Sequence, residues 1–311
     1  MNSRTRAIVL ATGLVLLAAV PPVAALANQP FYLDLVRRVM IFAIAALSLN
    51  LILGYGGMIS FGHAAYLGVG AYAVGVLAHY GINNGYLQWA LAIGASALVA
   101  LAIGAVSIRT SGVYFIMITL AFTQMLYYLG ISIEEYGGDD GMRLAVKSQF
   151  GLIDLNDANA FYYLVLAILV LALFLGQRLV DSRFGMVIRA ARSNEVRTRS
   201  IGFSPYPYRL AAFVIAGAVC GLAGALLVNH TAYLTPEFMN WTRSGELMFM
   251  VILGGMGSIA GPVLGAFALL LIEDALSGWT QHWQLILGPL LVLAVLFLRR
   301  GLAGLLLGKN E

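Results

Sequence analysis

Few residues in this chain have the spacing of a reactive site. The four histidines (His63, His79, His230 and His282) fall in different segments, so no pair is placed to share a metal or a proton. There is no HExxH, no GxSxG and no pair of carboxylates within one apolar run. Gly308-Lys309 lacks the earlier glycine of a phosphate-binding loop, which argues against nucleotide hydrolysis by this chain alone. Cys220 is the single cysteine and sits in an apolar run, where it reads as a small packing residue. The expectation is therefore no catalytic residue, no metal and no cofactor in this chain, and no enzymatic role.

Two other features carry chemistry. One is a set of polar residues within apolar runs: Asn50, Ser60, His63, Thr119, Thr123, Gln124 and Glu246. Such groups are costly in hydrocarbon unless they are paired or face an aqueous path. Thr119 and Thr123 are one helical turn apart and share a face, although either can instead bond its own helix backbone. His63 fits a structural hydrogen-bonding role as well as a path, and Glu246 fits an interfacial position. The other feature is a basic island, 178–209, with Arg178, Arg183, Arg189, Arg192, Arg197, Arg199 and Arg209 against only Asp181 and Glu195.

The elements that must position these residues follow from composition. Of 311 residues, 61% are hydrophobic and 10% charged, against roughly 25% charged in soluble domains. Repeated apolar runs of about 20 residues are what a helix needs to cross hydrocarbon, and the short alternating segments of a membrane barrel are absent. The fold class expected is an all-α polytopic membrane protein with about 8–10 membrane segments, forming one domain over 1–311. The net charge of +4 reads as topology, since Lys/Arg-rich loops stay on the cytoplasmic side; it does not point to nucleic acid.

Spans are expected at 39–54, 64–79, 87–107, 113–131, 160–176, 210–228, 247–272 and 282–298. Residues 1–30 read as a first helix with a cytoplasmic N-terminus, or as a signal-like segment. This order places 178–209 inside and the acidic loop 134–159 outside, with a second polar loop at 230–244. Arg37 and Arg38 then fall outside, against the rule, unless Asp34 offsets them or the second helix starts earlier.

The region 247–272 is too short for two crossings, yet one crossing would leave Arg299, Arg300 and Lys309 outside. A broken, re-entrant segment at Gly254-Gly255-Met256-Gly257-Ser258 resolves this and keeps the C-terminus cytoplasmic. Non-helical backbone at membrane depth is tolerated where it is buried in protein or lines a water path. A similar string, Gly54-Tyr55-Gly56-Gly57-Met58-Ile59-Ser60, occurs earlier. Paired glycine-interrupted segments point to transporter repeats with a site between them; chance recurrence among 35 glycines is the other reading. Gly217/Gly221 and Gly257/Gly261/Gly265 have the spacing of close helix packing.

These motifs resemble a family. Residues 47–75 (LSLNLILGYGGMISFGHAAYLGVGAYAVG) are similar to the signature of permeases of branched-chain amino acid ABC importers. GVYFIMITLAFTQMLYYL (112–129) and GGDDGM (137–142) resemble the LivM type rather than its LivH-type partner. Residues 182–226 and MVILGGMGSIAGPVLGA (250–266) match the later parts in order, so the resemblance covers about 30–300.

The resemblance implies a translocating subunit for branched-chain or related amino acids in a bacterial inner membrane. It implies a heterodimer with a LivH-type permease, two cytoplasmic ATPase subunits that bind ATP and Mg, a soluble binding protein and surrounding membrane lipid. Urea, short amides and aromatic acids are the substrates of related permeases; a passive channel is a second class of reading. Arg183, Phe184, Gly185, Arg189, Ala190 and Arg192 would then form the helix that meets the ATPase, although the Glu-Ala-Ala triplet of other ABC permeases is absent. Gly56, Gly57, Ser60, His63, Thr119, Thr123, Gln124, Gly254, Gly255 and Ser258 would line the path.

Overall fold

A computed structural model describes residues 3–26, 29–151, 153–297 and 301–306; Arg299, Arg300 and Lys309 lie outside them. Six helices are long and apolar enough to cross a membrane. These are α2 (Pro30–Asn50) with the π-helical turn Leu51–Tyr55 that prolongs it, α4 (Gly85–Ser107), α5 (Val113–Ser132), α6 (Ala158–Asp181), α9 (Pro205–Thr231) and α11 (Gly261–Trp279). Further apolar helices accompany them: α1 (Ser3–Leu26), α3 (His63–His79), α10 (Trp241–Gly254) and α12 (Trp283–Phe297). The helices α7 (Arg183–Ser193), α8 (Glu195–Ser200) and α13 (Gly301–Leu306) complete the described set. The all-α polytopic class therefore holds.

The second helix begins at Pro30, nine positions before the expected 39, because proline is well placed at a first helical position. Arg37 and Arg38 are thus inside a helix rather than ahead of it. Arg37 is buried, pairs with Asp34, donates from Nε to His230 Nδ1 at 3.0 Å and lies 4.8 Å from the Phe161 ring centroid. Arg38 reaches Glu273 at 4.0 Å. Asp34 thus offsets Arg37, and Glu273 lies near Arg38, at the end opposite the basic island.

That opposite end carries a cap built from the two polar loops. Strand β1 (Met142–Arg143) pairs antiparallel with β2 (Tyr233–Leu234), with Met142 opposite Leu234. Asn229 on α9 accepts from the Ser148 amide at 2.8 Å and donates to its hydroxyl at 2.9 Å. Tyr80 at the end of α3 donates to Glu135 at 2.8 Å. The loop 134–159 is thereby tied to α3, α9 and the segment that follows α9.

The core is made by α2, α3, α4 and α9, which approach closely through small residues. A Cβ on Gly224 of α9 would stand 1.9 Å from the Leu67 carbonyl of α3, and one on Gly70 of α3 would stand 2.0 Å from the Gly221 carbonyl. Gly217 faces Ala100 and Gly221 faces Ser96 of α4 in the same way. Cys220 is buried on this face, 3.4 Å from the His63 carbonyl.

The late segment is broken as its glycines suggest. Helix α10 stops at Gly254 and α11 starts at Gly261, and the two fold back on each other. Cβ atoms on Gly265 and Gly254 would meet the carbonyls of Met250 and Gly261 at 1.8 and 1.9 Å. The left side of this break needs glycine, because Gly255 has φ of 115°. Gly301 of α13 packs against Gly254 and Gly255, which returns the C-terminal helix to the end that carries the basic island.

Candidate functional site at the two glycine breaks

Two short helices, of 17 and 14 residues, begin inside the helix bundle. After the π-helical turn Leu51–Tyr55, the chain turns back through 56–62 and α3 starts at His63. On the other side, Pro236–Met239 dips inward until Met239 lies against Gly68 of α3 and Gly130 of α5, and α10 starts at Trp241. The two starts meet. The Ala64 amide donates to the Ser244 hydroxyl at 2.9 Å, and the rings of Phe61 and Trp241 are 6.3 Å apart. From there α3 runs to the capped end and α10 to the basic end, so two helix N-termini converge within the protein. Each such end carries a partial positive charge, and the Ala64 and Thr242 amides are already bonded to Ser244 and Asn240.

Around this meeting point the structure gathers most of the polar residues singled out from sequence. Ser60, His63, Thr119 and Thr123 are all fully buried. The Thr119 hydroxyl accepts from the Phe61 amide at 3.3 Å and donates to Ile116 of its own helix at 2.9 Å. The Thr123 hydroxyl lies 3.2 Å from the Phe61 carbonyl and 2.9 Å from the Thr119 carbonyl. Both threonines thus bond their own helix backbone, the alternative the sequence left open, and they also hold the turn before α3. The Ser60 hydroxyl accepts from the Gly62 amide at 3.1 Å.

Ser48 donates to the Ala45 carbonyl at 2.6 Å, so its 2.8 Å contact with His63 Nε2 is received from the imidazole. That leaves Nδ1 of His63 as a buried acceptor with no hydrogen-bond partner among the described residues. Gln124 stands apart, half-exposed on α5. Glu246 is also outside the cluster and pairs with Arg243 at 2.8 Å.

The glycine strings form a second group at the basic end. Asn50 on the last turn of α2 donates to the Ser258 carbonyl at 2.9 Å and accepts from the Gly257 amide at 3.1 Å. It clasps the late break to the early one. Gly54 is pressed between these parts, since its Cβ would stand 2.6 Å from the Gly257 nitrogen. Gly56 and Gly57 line a small cavity of about 120 Å³ with Gly112, Phe115, Ile116 and Arg209.

The basic island folds onto this joint. Ser182 caps α7, its hydroxyl accepting from the Gly185 amide, and Gly185 is buried against the Val180 carbonyl. Phe184 is half-buried, 5.8 Å from the Tyr208 ring, and Ala190 is half-buried. Arg183 is exposed, while Arg189 donates to the Val180 carbonyl at 3.2 Å. Arg192 donates to the Gly54 carbonyl and its stem lies over Gly57. The outward side of the island shows Met186 and Val196, 53% and 76% exposed.

Glu195 holds the island together, pairing with Arg199 at 2.5 Å and with Arg209 of α9 at 2.6 Å. Burial alone would push its carboxyl up, but the guanidinium groups of Arg209 and Arg199 hold it below the ordinary glutamate value.

Sequence reasoning left three contributors out of the site. Ser48 and Ser244 carry no motif of their own and gain their roles from contacts with residues distant in the chain. Asn50 stood out as a polar residue in a span, but nothing in sequence paired it with Gly257. Among the described residues no group of three His, Cys, Asp or Glu is placed to hold a metal.

Residues 31–298 match the protein family described as "Branched-chain amino acid transport system / permease component". The chain belongs to that family. It is 30% identical to the high-affinity branched-chain amino acid transport system permease protein LivM of Salmonella typhimurium, over 86% of this chain and 69% of that protein. LivM of Escherichia coli is similar to the same extent, 30% over 86% and 69%. LivH of Escherichia coli is 24% identical over 85% of this chain and 91% of its own. No solved structure matches. The LivM-type resemblance in the sequence thus holds across the permease, including both glycine breaks and the basic island between them.

Proposed function

We propose that this permease is one half of the translocation path of an ATP-driven importer for branched-chain or related amino acids in a bacterial inner membrane. A LivH-type subunit supplies the other half. ATP and Mg are bound by two separate ATPase subunits on the cytoplasmic side, and a soluble binding protein delivers the substrate. The observation that carries the reading is the contact between Arg192 and the Gly54 carbonyl. It joins an exposed helix to the break from which a half-helix starts.

In this reading the basic island and both termini are cytoplasmic, as the arginine bias requires. The ATPase pair meets Arg183, Met186 and Val196 on the outward side of α7 and α8. Closure of the pair displaces α7, and Arg192 carries the displacement to Gly54 and, through Asn50, to Gly257. The external binding protein rests on the cap formed by β1, β2 and the loop 134–159.

The substrate passes the converging N-termini of α3 and α10. A carboxylate there is met by the positive ends of two helix dipoles without a buried cation. Ser60, His63, Thr119 and Thr123 set the shape of that place, and Nδ1 of His63 can accept from an ammonium group.

The test is uptake into vesicles that hold this chain, a LivH-type partner and the ATPase pair. Labelled leucine should accumulate only with ATP inside and binding protein outside. Equilibration without ATP would mark a passive channel instead. ATP-dependent uptake of urea or aromatic acids, with none of leucine, would reassign the substrate and keep the machinery.

A further inference from the structure

Between α2, α6 and α9, toward the basic end, lies a lateral cavity of about 470 Å³. Its wall is mainly Leu47, Leu51, Leu175, Ile215, Val219 and Ile259. The volume falls within the roughly 300–1,000 Å³ of cavities that hold small ligands. It is separate from the place where α3 and α10 begin, although Ser48 borders both.

Three of the polar side chains on this wall are already engaged, while the Tyr55 hydroxyl and Arg178 have no hydrogen-bond partner among the described residues. Ser48 is bonded to Ala45 and His63, Asn50 to Ser258 and Gly257, and Ser182 to Leu179 and Gly185. A zwitterion placed here would lose its hydration with little to replace it. An apolar occupant meets no such penalty.

The cavity also has a direction. Leu47 and Asn50 on its inner wall are buried, whereas Leu175 and Arg178 at its rim are exposed. It therefore opens sideways from the helix bundle, where the surrounding solvent is lipid. Arg178 stacks 5.8 Å from the Phe174 ring centroid and is in no ion pair among the described residues. A free arginine at the rim of an apolar cavity, at the membrane end where basic residues collect, complements an anionic headgroup.

We propose that this cavity holds an acyl chain of an anionic phospholipid from the leaflet on the basic side, with Arg178 binding the headgroup. The inner wall includes Asn50, Leu51 and Ile259, so the acyl chain fills the space beside the joint between the two glycine breaks. Lipid binding itself does not rest on the transport reading. A permease of any substrate, or a channel, would bind in the same way.

The test uses the full chain reconstituted in nanodiscs of phosphatidylglycerol or phosphatidylcholine with matched acyl chains. A trace of the same lipid carries a photoreactive diazirine in one chain, and labelled peptides are mapped after irradiation. Label is expected on 47–55, 172–179 and 215–219, and more of it from phosphatidylglycerol. Ala172→Phe, which projects into the cavity, should remove that label. Arg178→Gln should reduce the preference for phosphatidylglycerol about fivefold, the worth of one arginine near a charged surface, while label stays in the cavity. Even label over all lipid-facing helices, or equal label from the two lipids on the wild-type protein, would overturn the proposal. Should Ala172→Phe fail to fold, the wild-type map and the exposed Arg178→Gln variant decide between these results.

Discussion

The guanidinium of Arg192, on the exposed helix α7, donates to the backbone carbonyl of Gly54, in the π-helical turn that ends α2. A π-helical turn disturbs the regular carbonyl ladder and is frequent at functional places. Gly54 also presses on Gly257 from its other side. One residue therefore touches both the basic island, 138 positions away in the sequence, and the late glycine break.

The clasp beside it makes a stability prediction. Asn50→Leu removes both bonds to the late break and leaves the Gly257 amide and Ser258 carbonyl without that partner. Interhelical bonds of this kind in membranes are worth about 1–2 kcal/mol at most. A lowered unfolding midpoint of the detergent-purified chain is expected, with a smaller fall for Asn50→Asp, which keeps an acceptor for the Gly257 amide. Midpoints equal to wild type in both variants would remove the clasp.

Close helix approach makes another. Gly224→Ala would drive a methyl group to 1.9 Å from the Leu67 carbonyl, so α3 and α9 must part. Overpacking typically costs about 1–3 kcal/mol. Gly94→Ala is the control, because a Cβ there meets nothing within 4 Å and alanine favours helix by up to about 1 kcal/mol. Thermal unfolding should separate the two in opposite directions.

These examples show what could be read from the sequence. Class and span order were legible because hydrocarbon imposes length and composition on each helix. The late break was legible from the clash between the basic residues and the crossing count, and it falls at 255–260 against the expected 254–258. The earlier start of α2 was legible only as one of two ways to accommodate Arg37 and Arg38, because the contacts of Arg37 with His230 and Phe161, which make a buried arginine tolerable, join residues far apart in the chain. The inward reach of Arg192 was not legible. Its partner is a backbone carbonyl, which has no signature in a sequence, and a surface arginine reads first as a contact for something outside.

At the meeting of the half-helices, Thr119 should act through its hydroxyl. Thr119→Val loses the bond from the Phe61 amide, while Thr119→Ser retains it. The loss of one bond worth about 1 kcal/mol corresponds to about a fivefold rise in the KM for uptake. Transport kinetics in vesicles check this, and a Ser variant as impaired as the Val variant would point to packing of the methyl group instead.

Acid should loosen the basic island through Glu195. Its carboxyl is held below the ordinary value in the folded protein, so its contribution is complete above the ordinary glutamate pKa of about 4.3. The contribution disappears as pH falls through the lower folded-state value. Glu195→Gln should lower the unfolding midpoint at pH 7 and flatten its decline between pH 5 and 3 relative to wild type. An unchanged midpoint at pH 7 would show that the pairs with Arg199 and Arg209 contribute nothing.

In the proposed importer, Arg192 carries motion from the ATPase side to the glycine breaks. The direct measurement is ATP hydrolysed per leucine taken up by the reconstituted importer, with Arg192→Ala against wild type. Hydrolysis should continue near the wild-type rate while uptake falls at least about tenfold, as loss of a charged hydrogen bond worth about 1.5–3 kcal/mol implies. A well-inserted Arg192→Ala importer with the wild-type ratio of hydrolysis to uptake would contradict the account.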